Sequence, residues 1–287
     1  MPELTDLSYV RALCEKYDFA LSKGFGQNFI VNPGLPPKIV DASGVDKRYG
    51  VLEIGPGIGA LSHELCERAG KVVAVELDKT LLPILDETMA RFDNFEVVSA
   101  DILKTDIPAL VREKFAGLTP IVCANLPYNI TTPAITALIE SKCFESITVL
   151  VQKEVAERLC AAPGTSAYGA FSVFMQYYTE PELLFAVPRE CFEPQPKVTS
   201  AVLRAVVRRE PPVEVEDEKF FFRVVYAAFA LRRKTLVNSL MTAFGSQLTK
   251  EQVTQAVTSC GLEANIRGER LGLSEFAALA KAIHALV

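Results

Sequence analysis

A chain of 287 residues, 49% hydrophobic and 23% charged, is long enough for one substantial domain and a smaller companion. No apolar run reaches the length of a membrane span, and the opening Met1-Pro2-Glu3-Leu4-Thr5-Asp6 lacks the basic and apolar parts of a signal peptide, so a cytoplasmic protein with no membrane partner is expected. The formal net charge of −5 excludes a uniformly basic nucleic-acid binder, so any nucleic-acid surface must be a local patch.

Along the chain, the segment before Lys23 predicts only an amphipathic helix. From Val51 to about Val207, short β-rich apolar runs alternate with longer helical patterns, the signature of an α/β sheet covered on both faces. The strands predicted are Val51–Ile54, Val72–Val75, Phe95–Val98, Ile121–Ala124, Ile147–Val151 and Ala201–Val207, with a weaker one near Leu183–Phe185. They make a doubly wound, mostly parallel, Rossmann-like sheet of seven strands. Arg208-Arg209-Glu210-Pro211-Pro212 and the acidic run after it break the pattern, which places a first domain over residues 1–210 and a small helical one over 211–287. In the latter, Thr249-Lys250-Glu251-Gln252 is a capping box whose helix stops at Gly261. Seven cysteines are scattered singly without a Cys-x-x-Cys, so they read as reduced packing residues, and no metal is expected.

Glu53-Ile54-Gly55-Pro56-Gly57-Ile58-Gly59 leaves a strand and opens a helix, with Gly55 and Gly57 placed to let backbone approach a ligand. Alone, the segment fits a nucleotide site, a nicotinamide dehydrogenase or merely a tight turn. The next strands add to it. Glu76 ends the second, Asp101 the third and Asn125 the fourth, so these groups converge beyond the carboxyl ends of the strands, where open α/β sheets bind ligands. Either acid by itself could simply cap the following helix. The third glycine comes too early for G-x-G-x-x-G, which counts against the dehydrogenase.

Asn125-Leu126-Pro127-Tyr128 joins an amide, a restrained turn and an aromatic ring at the end of the fourth strand. That combination suits chemistry on an adenine N6, whose lone pair is delocalised into the ring. Acceptors against its two N–H bonds, the Asn125 side-chain carbonyl and a nearby main-chain carbonyl, favour the pyramidal nitrogen that attacks, while Tyr128 stacks on the base. The methylated amine sheds its proton unaided, so no catalytic histidine is needed; His63 and His284 both fall in helical patterns. An ordinary strand-to-helix turn is the alternative.

The acidic-x-G-x-G-x-G spacing resembles the first motif of class I methyltransferases, and Asn-Leu-Pro-Tyr resembles the ribosomal RNA adenine dimethyltransferases in particular. The resemblance implies S-adenosylmethionine as cofactor, with Glu76 on its ribose and Asp101 on its adenine amino group. Lys23-Gly24-Phe25-Gly26-Gln27-Asn28-Phe29-Ile30 looks like the family's N-terminal motif, whose Asn28 and Ile30 positions contact the cofactor. Phe192-Glu193-Pro194-Gln195-Pro196-Lys197-Val198-Thr199-Ser200-Ala201 looks like its late motif, in which Phe192 stacks on the base opposite Tyr128; as a bare residue Phe192 could equally be a core aromatic. Phe229-Ala230-Leu231-Arg232-Arg233-Lys234-Thr235-Leu236 and Arg267-Gly268-Glu269-Arg270-Leu271 are similar to the small-subunit branch. That implies phosphate contacts from Arg232, Arg233 and Lys234, with Lys23 and Lys197 as further candidates, although a basic triplet can be a solvated helix face. The implied substrate is a pair of adjacent adenosines near the 3′ end of small-subunit rRNA in an immature 30S subunit, modified by a monomer. Dimethylation of large-subunit rRNA and a non-catalytic assembly factor on the same fold are the alternatives.

Overall fold

Strands covered on both faces need continuous apolar runs, and the middle of the chain supplies them: Val51, Leu52, Val72, Val73, Val122 and Val149 are all buried. The computed structural model describes residues 3–19 and 28–287, so Lys23 lies outside the described residues. In chain order come α1 (Leu7–Lys16), β1 (Phe29–Ile30), α2 (Leu35–Ser43), β2 (Tyr49–Ile54), α3 (Ala60–Arg68), β3 (Lys71–Glu76), α4 (Leu82–Thr88), β4 (Phe95–Ser99), α5 (Ile107–Lys114), β5 (Thr119–Asn125), α6 (Thr131–Glu140) and β6 (Ser146–Gln152). Then follow α7 (Lys153–Leu159), α8 (Ala170–Tyr178), β7 (Thr179–Val187), β8 (Phe192–Glu193), β9 (Ser200–Val207), α9 (Glu218–Ala230), α10 (Leu236–Phe244), α11 (Lys250–Ser259) and α12 (Leu273–His284).

Seven strands form one sheet in the order β4-β3-β2-β5-β6-β9-β7. From β4 to β6 every pairing is parallel, and β9 runs antiparallel to β6. All seven predicted strands are present, six of them one to three residues longer than the apolar run and the weakest, near Leu183–Phe185, extended to the nine residues of β7. Strand order reverses between β2 and β5, which makes the crevice at their carboxyl ends the switch point where such sheets bind ligands. Sequence pattern does not reveal the two-residue ladder of β1 with β8, which pairs Ile30 with Phe192.

By packing, the chain divides into two units, Met1–Ala156 with Glu182–Val207, and Glu157–Pro181 with Arg208–Val287. The change of sequence pattern at residue 210 does not by itself group residues 157–181 with the C-terminal helices. Packing does so because Tyr168, Val173 and Tyr177 share one buried cluster with Phe221, Val225, Phe244 and Phe276. The α11 capping box is present: Gln252 N–H donates to Thr249 Oγ1 at 3.3 Å and Thr249 N–H to Gln252 Oε1 at 2.8 Å, an arrangement that stabilises a helix by about 1 kcal/mol. In the first unit α1 packs Val10 and Leu13 against Phe29, Ile58, Leu81 and Ile84. Its C-terminal end is tied to α4, where Glu87 accepts from Lys16 Nζ at 2.6 Å and from the Tyr17 hydroxyl.

Candidate active site

The turn after β2 is left-handed at Gly55, Gly57 and Gly59, with φ of +67°, +60° and +91°. A side chain at Gly57 would also come within 3.0 Å of the Phe29 ring, so this backbone is both conformationally and sterically reserved for glycine. Against it opens a cleft of about 1020 Å³, counting its mouth, at the upper end of the size usual for small-molecule sites. Its lining includes Asn28, Ile30, Gly55, Gly57, Glu76, Asp101 and Asn125, so the residues expected to hold a cofactor are brought together. Neither histidine lines it. His63 meets the edge of Phe92 and His284 stacks on Phe220.

Glu76 ends β3 at 6% exposure, and its Oε1 accepts from Asp78 N–H at 2.8 Å. Burial raises its pKa above the ordinary carboxylate value, and backbone N–H groups of Asp78, Leu77 and Gly57 pull it partly back. The carboxylate is therefore aimed before any ligand arrives. Asp101 does both things its position allows: it accepts from Leu103 N–H at 3.0 Å as the cap of a short helical turn, and it faces the cleft. Asn125 ends β5 and donates its side-chain N–H to the Asn28 carbonyl at 3.1 Å. That bond uses one of the two amide N–H groups and fixes the amide's orientation, leaving the carbonyl oxygen to accept.

The sequence pattern marks Glu53 only as the first letter of the glycine motif. It is 1% exposed and lines the cleft, and among the described residues neither its Oε2 nor the Oγ of neighbouring Ser62 has a hydrogen-bond partner. Burial drives its pKa up to about 8, with the charge of nearby Glu76 reinforcing the rise. The signal that points to it is an acid inside the apolar run Val51-Leu52-Glu53-Ile54, which costs stability unless something uses it.

Tyr128 follows Asn125 on a turn braced by Ile130 N–H and the Thr131 hydroxyl, which donate to the Pro127 carbonyl at 3.2 and 3.3 Å. It is half-buried outside the cofactor cleft, against an apolar cluster. Phe192 belongs to that cluster at 1% exposure and is paired with Ile30 in the β1–β8 ladder, so its ring is packed in the core and offers no face to a base in this structure.

The basic candidates separate in the same way. Arg232 is committed to the protein, donating to the Ser166 carbonyl and, at 3.2 Å, to that of Tyr168, with Glu269 3.6 Å away. Arg233 and Lys234 are exposed and make no ion pair among the described residues, and Lys197 is exposed.

The model of the family described as ribosomal RNA adenine dimethylase matches residues 19–282. The chain belongs to this family. It is 47% identical over 276 residues, 95% of both chains, to "Ribosomal RNA small subunit methyltransferase A" of Geobacillus sp. strain WCH70. To the protein of the same name in Streptococcus gordonii it is 48% identical over 283 residues, 98% of both. Of solved structures, the 23S rRNA methyltransferase ErmE superposes with a TM-score of 0.69 at 26% identity, over 90% of this chain and all of that one. A dimethyladenosine transferase from Plasmodium falciparum shares the fold, with a TM-score of 0.75 at 24% identity over 89% of this chain and 97% of the other. The dimethylase fold is thus the seven-stranded sheet and cleft described above.

Proposed function

We propose that this protein transfers methyl groups from S-adenosylmethionine to the N6 of two adjacent adenosines in the 3′-terminal helix loop of 16S rRNA. The products are N6,N6-dimethyladenosines, formed by a cytoplasmic monomer acting on an immature 30S subunit. The observation that carries the chemistry is the held amide of Asn125: one of its two N–H bonds is given to Asn28, which fixes the amide with its carbonyl acceptor at the edge of a cleft framed by two buried acids. The preference for the small subunit rests on identities of 47–48% to two small-subunit enzymes against 26% to the large-subunit one.

The cleft fits the cofactor on its own terms. Bound S-adenosylmethionine supplies an electrophilic methyl on a positively charged sulfur. Glu76 would take the ribose hydroxyls, Asp101 the adenine amino group, and the glycine turn the close approach of the amino-acid part. The unpartnered buried oxygen of Glu53 suits a ligand that brings positive charge into the cleft. Asn125 accepts from the target N6–H and makes that nitrogen a better nucleophile, acting only as the amine begins to pyramidalise. Tyr128 stacks on the base, a contact of about 1–3 kcal/mol that also fixes the line of attack. Phe192 reaches the opposite face of the base once the two-residue β1–β8 ladder parts. Arg233, Lys234 and Lys197 hold phosphates and set which adenosine enters.

Tritium transfer from methyl-labelled S-adenosylmethionine tests the reading. Label is expected in undermethylated 30S subunits; label confined to 50S subunits, or absent from both, would overturn it.

A further inference from the structure

We propose that Ser200 is a positioning residue for methyl transfer, fixing the ring of Tyr128 through their hydroxyls. The inference rests on the proposed stacking role of Tyr128. The Tyr128 and Ser200 hydroxyl oxygens share a hydrogen bond of 2.5 Å, the two residues being 72 apart in sequence. Ser200 is fully buried at the start of β9, opposite Gln152 of β6, and the carbonyl of the preceding Thr199 accepts from Lys153 N–H at 2.9 Å. The strand that carries the Ser200 hydroxyl is therefore held by the sheet itself.

A tyrosine ring held only at its backbone end still tilts and rotates about two side-chain bonds. Tyr128 is held at both ends, by the turn after Pro127 and by the Ser200 hydroxyl. The half-buried phenol stays protonated, since burial raises its pKa with Ser200 only partly opposing. Ser200 also closes the stretch that begins at Phe192, so one segment supplies both an aromatic beside the site and the anchor of the other aromatic. A base stacked on an anchored ring presents N6 along one line rather than over a spread of angles.

Ser200→Ala, Tyr128→Phe and the double variant are compared at saturating RNA and cofactor. Each single change is expected to lower kcat about 3- to 10-fold, the value of one hydrogen bond. The double variant should be no slower than either single one, with melting temperature and cofactor Kd kept. Wild-type kcat in Ser200→Ala, losses that multiply, or a matching loss of cofactor affinity and melting temperature would each overturn the proposal. Tyr128→Ala separates the two layers of inference. Its collapse beside an unaffected Ser200→Ala overturns Ser200 alone, whereas a fully active Tyr128→Ala overturns the stacking role on which Ser200 depends.

Discussion

Replacing Glu76 by alanine removes the one carboxylate that the fold has aimed into the cleft from the end of β3. Its Oε1 is already engaged by Asp78 N–H at 2.8 Å and the side chain is only 6% exposed, so the carboxylate is held in place for the ligand, and alanine removes both of its acceptor oxygens. Hydrogen bonds to a charged group contribute about 1.5–3 kcal/mol. Glu76→Ala should therefore weaken S-adenosylmethionine binding by about 10- to 150-fold, at about 1.4 kcal/mol per decade. Calorimetric titration of the RNA-free protein measures this directly. The same residue gives the binding a pH signature. Its pKa is raised by burial, so protonation on acidification begins above the range of an exposed glutamate, and the affinity of the wild type should fall there. The alanine variant should lose Glu76's share of that fall, leaving only what Glu53 and Asp101 in the same cleft contribute. Affinity within twofold of wild type, or an acid limb unchanged in Glu76→Ala, would refute the assignment.

Asn125→Ala should reduce the methyl-transfer rate at least a hundredfold, on the order seen when a transition-state hydrogen-bonding group is removed, with cofactor Kd changed only a few fold; single-turnover kinetics beside calorimetry separates the two. Glu53 has a folded pKa of about 8 against 4.5 for the free group, so the native carboxyl keeps a proton that the unfolded chain releases. Its contribution to stability is present at low pH and lost as pH rises toward 8, at about 1.4 kcal/mol per pH unit. Urea unfolding of cofactor-free protein at several pH values should show Glu53→Gln with the flatter profile, and parallel profiles would contradict the assignment. Arg233→Ala with Lys234→Ala should weaken 30S binding and flatten its log–log salt dependence by about 0.7–0.9 for each phosphate no longer neutralised; an unchanged slope would make the pair a solvated face.

The parallel sheet was legible because both of its faces are covered, which writes each strand as an uninterrupted apolar run between glycine or polar residues. The cleft was legible for a related reason: Glu76 and Asn125 end strands and Asp101 stands two residues past one, and parallel strands bring their carboxyl ends together. Glu53 was legible only as an acid interrupting an apolar run, because an acid inside a strand carries no periodic signal of its own. The ladder that carries Phe192 is two residues long and joins segments more than 160 positions apart, beyond any local pattern. Arg232 looked like its two basic neighbours because sequence cannot tell which member of a triplet meets carbonyls of a distant loop. Residues 157–181 join the helical unit through aromatic packing of Tyr168 and Tyr177, which depends on partners more than 40 residues away.

The most direct test of the central claim is mass spectrometry of undermethylated 30S subunits incubated with the protein and S-adenosylmethionine. The account predicts two adjacent N6,N6-dimethyladenosines in the 3′-terminal helix loop of 16S rRNA, and none when Asn125→Ala replaces the wild type. Dimethyladenosine in 23S rRNA instead, or unmodified adenosines at that loop with active cofactor and correctly folded protein, would contradict it.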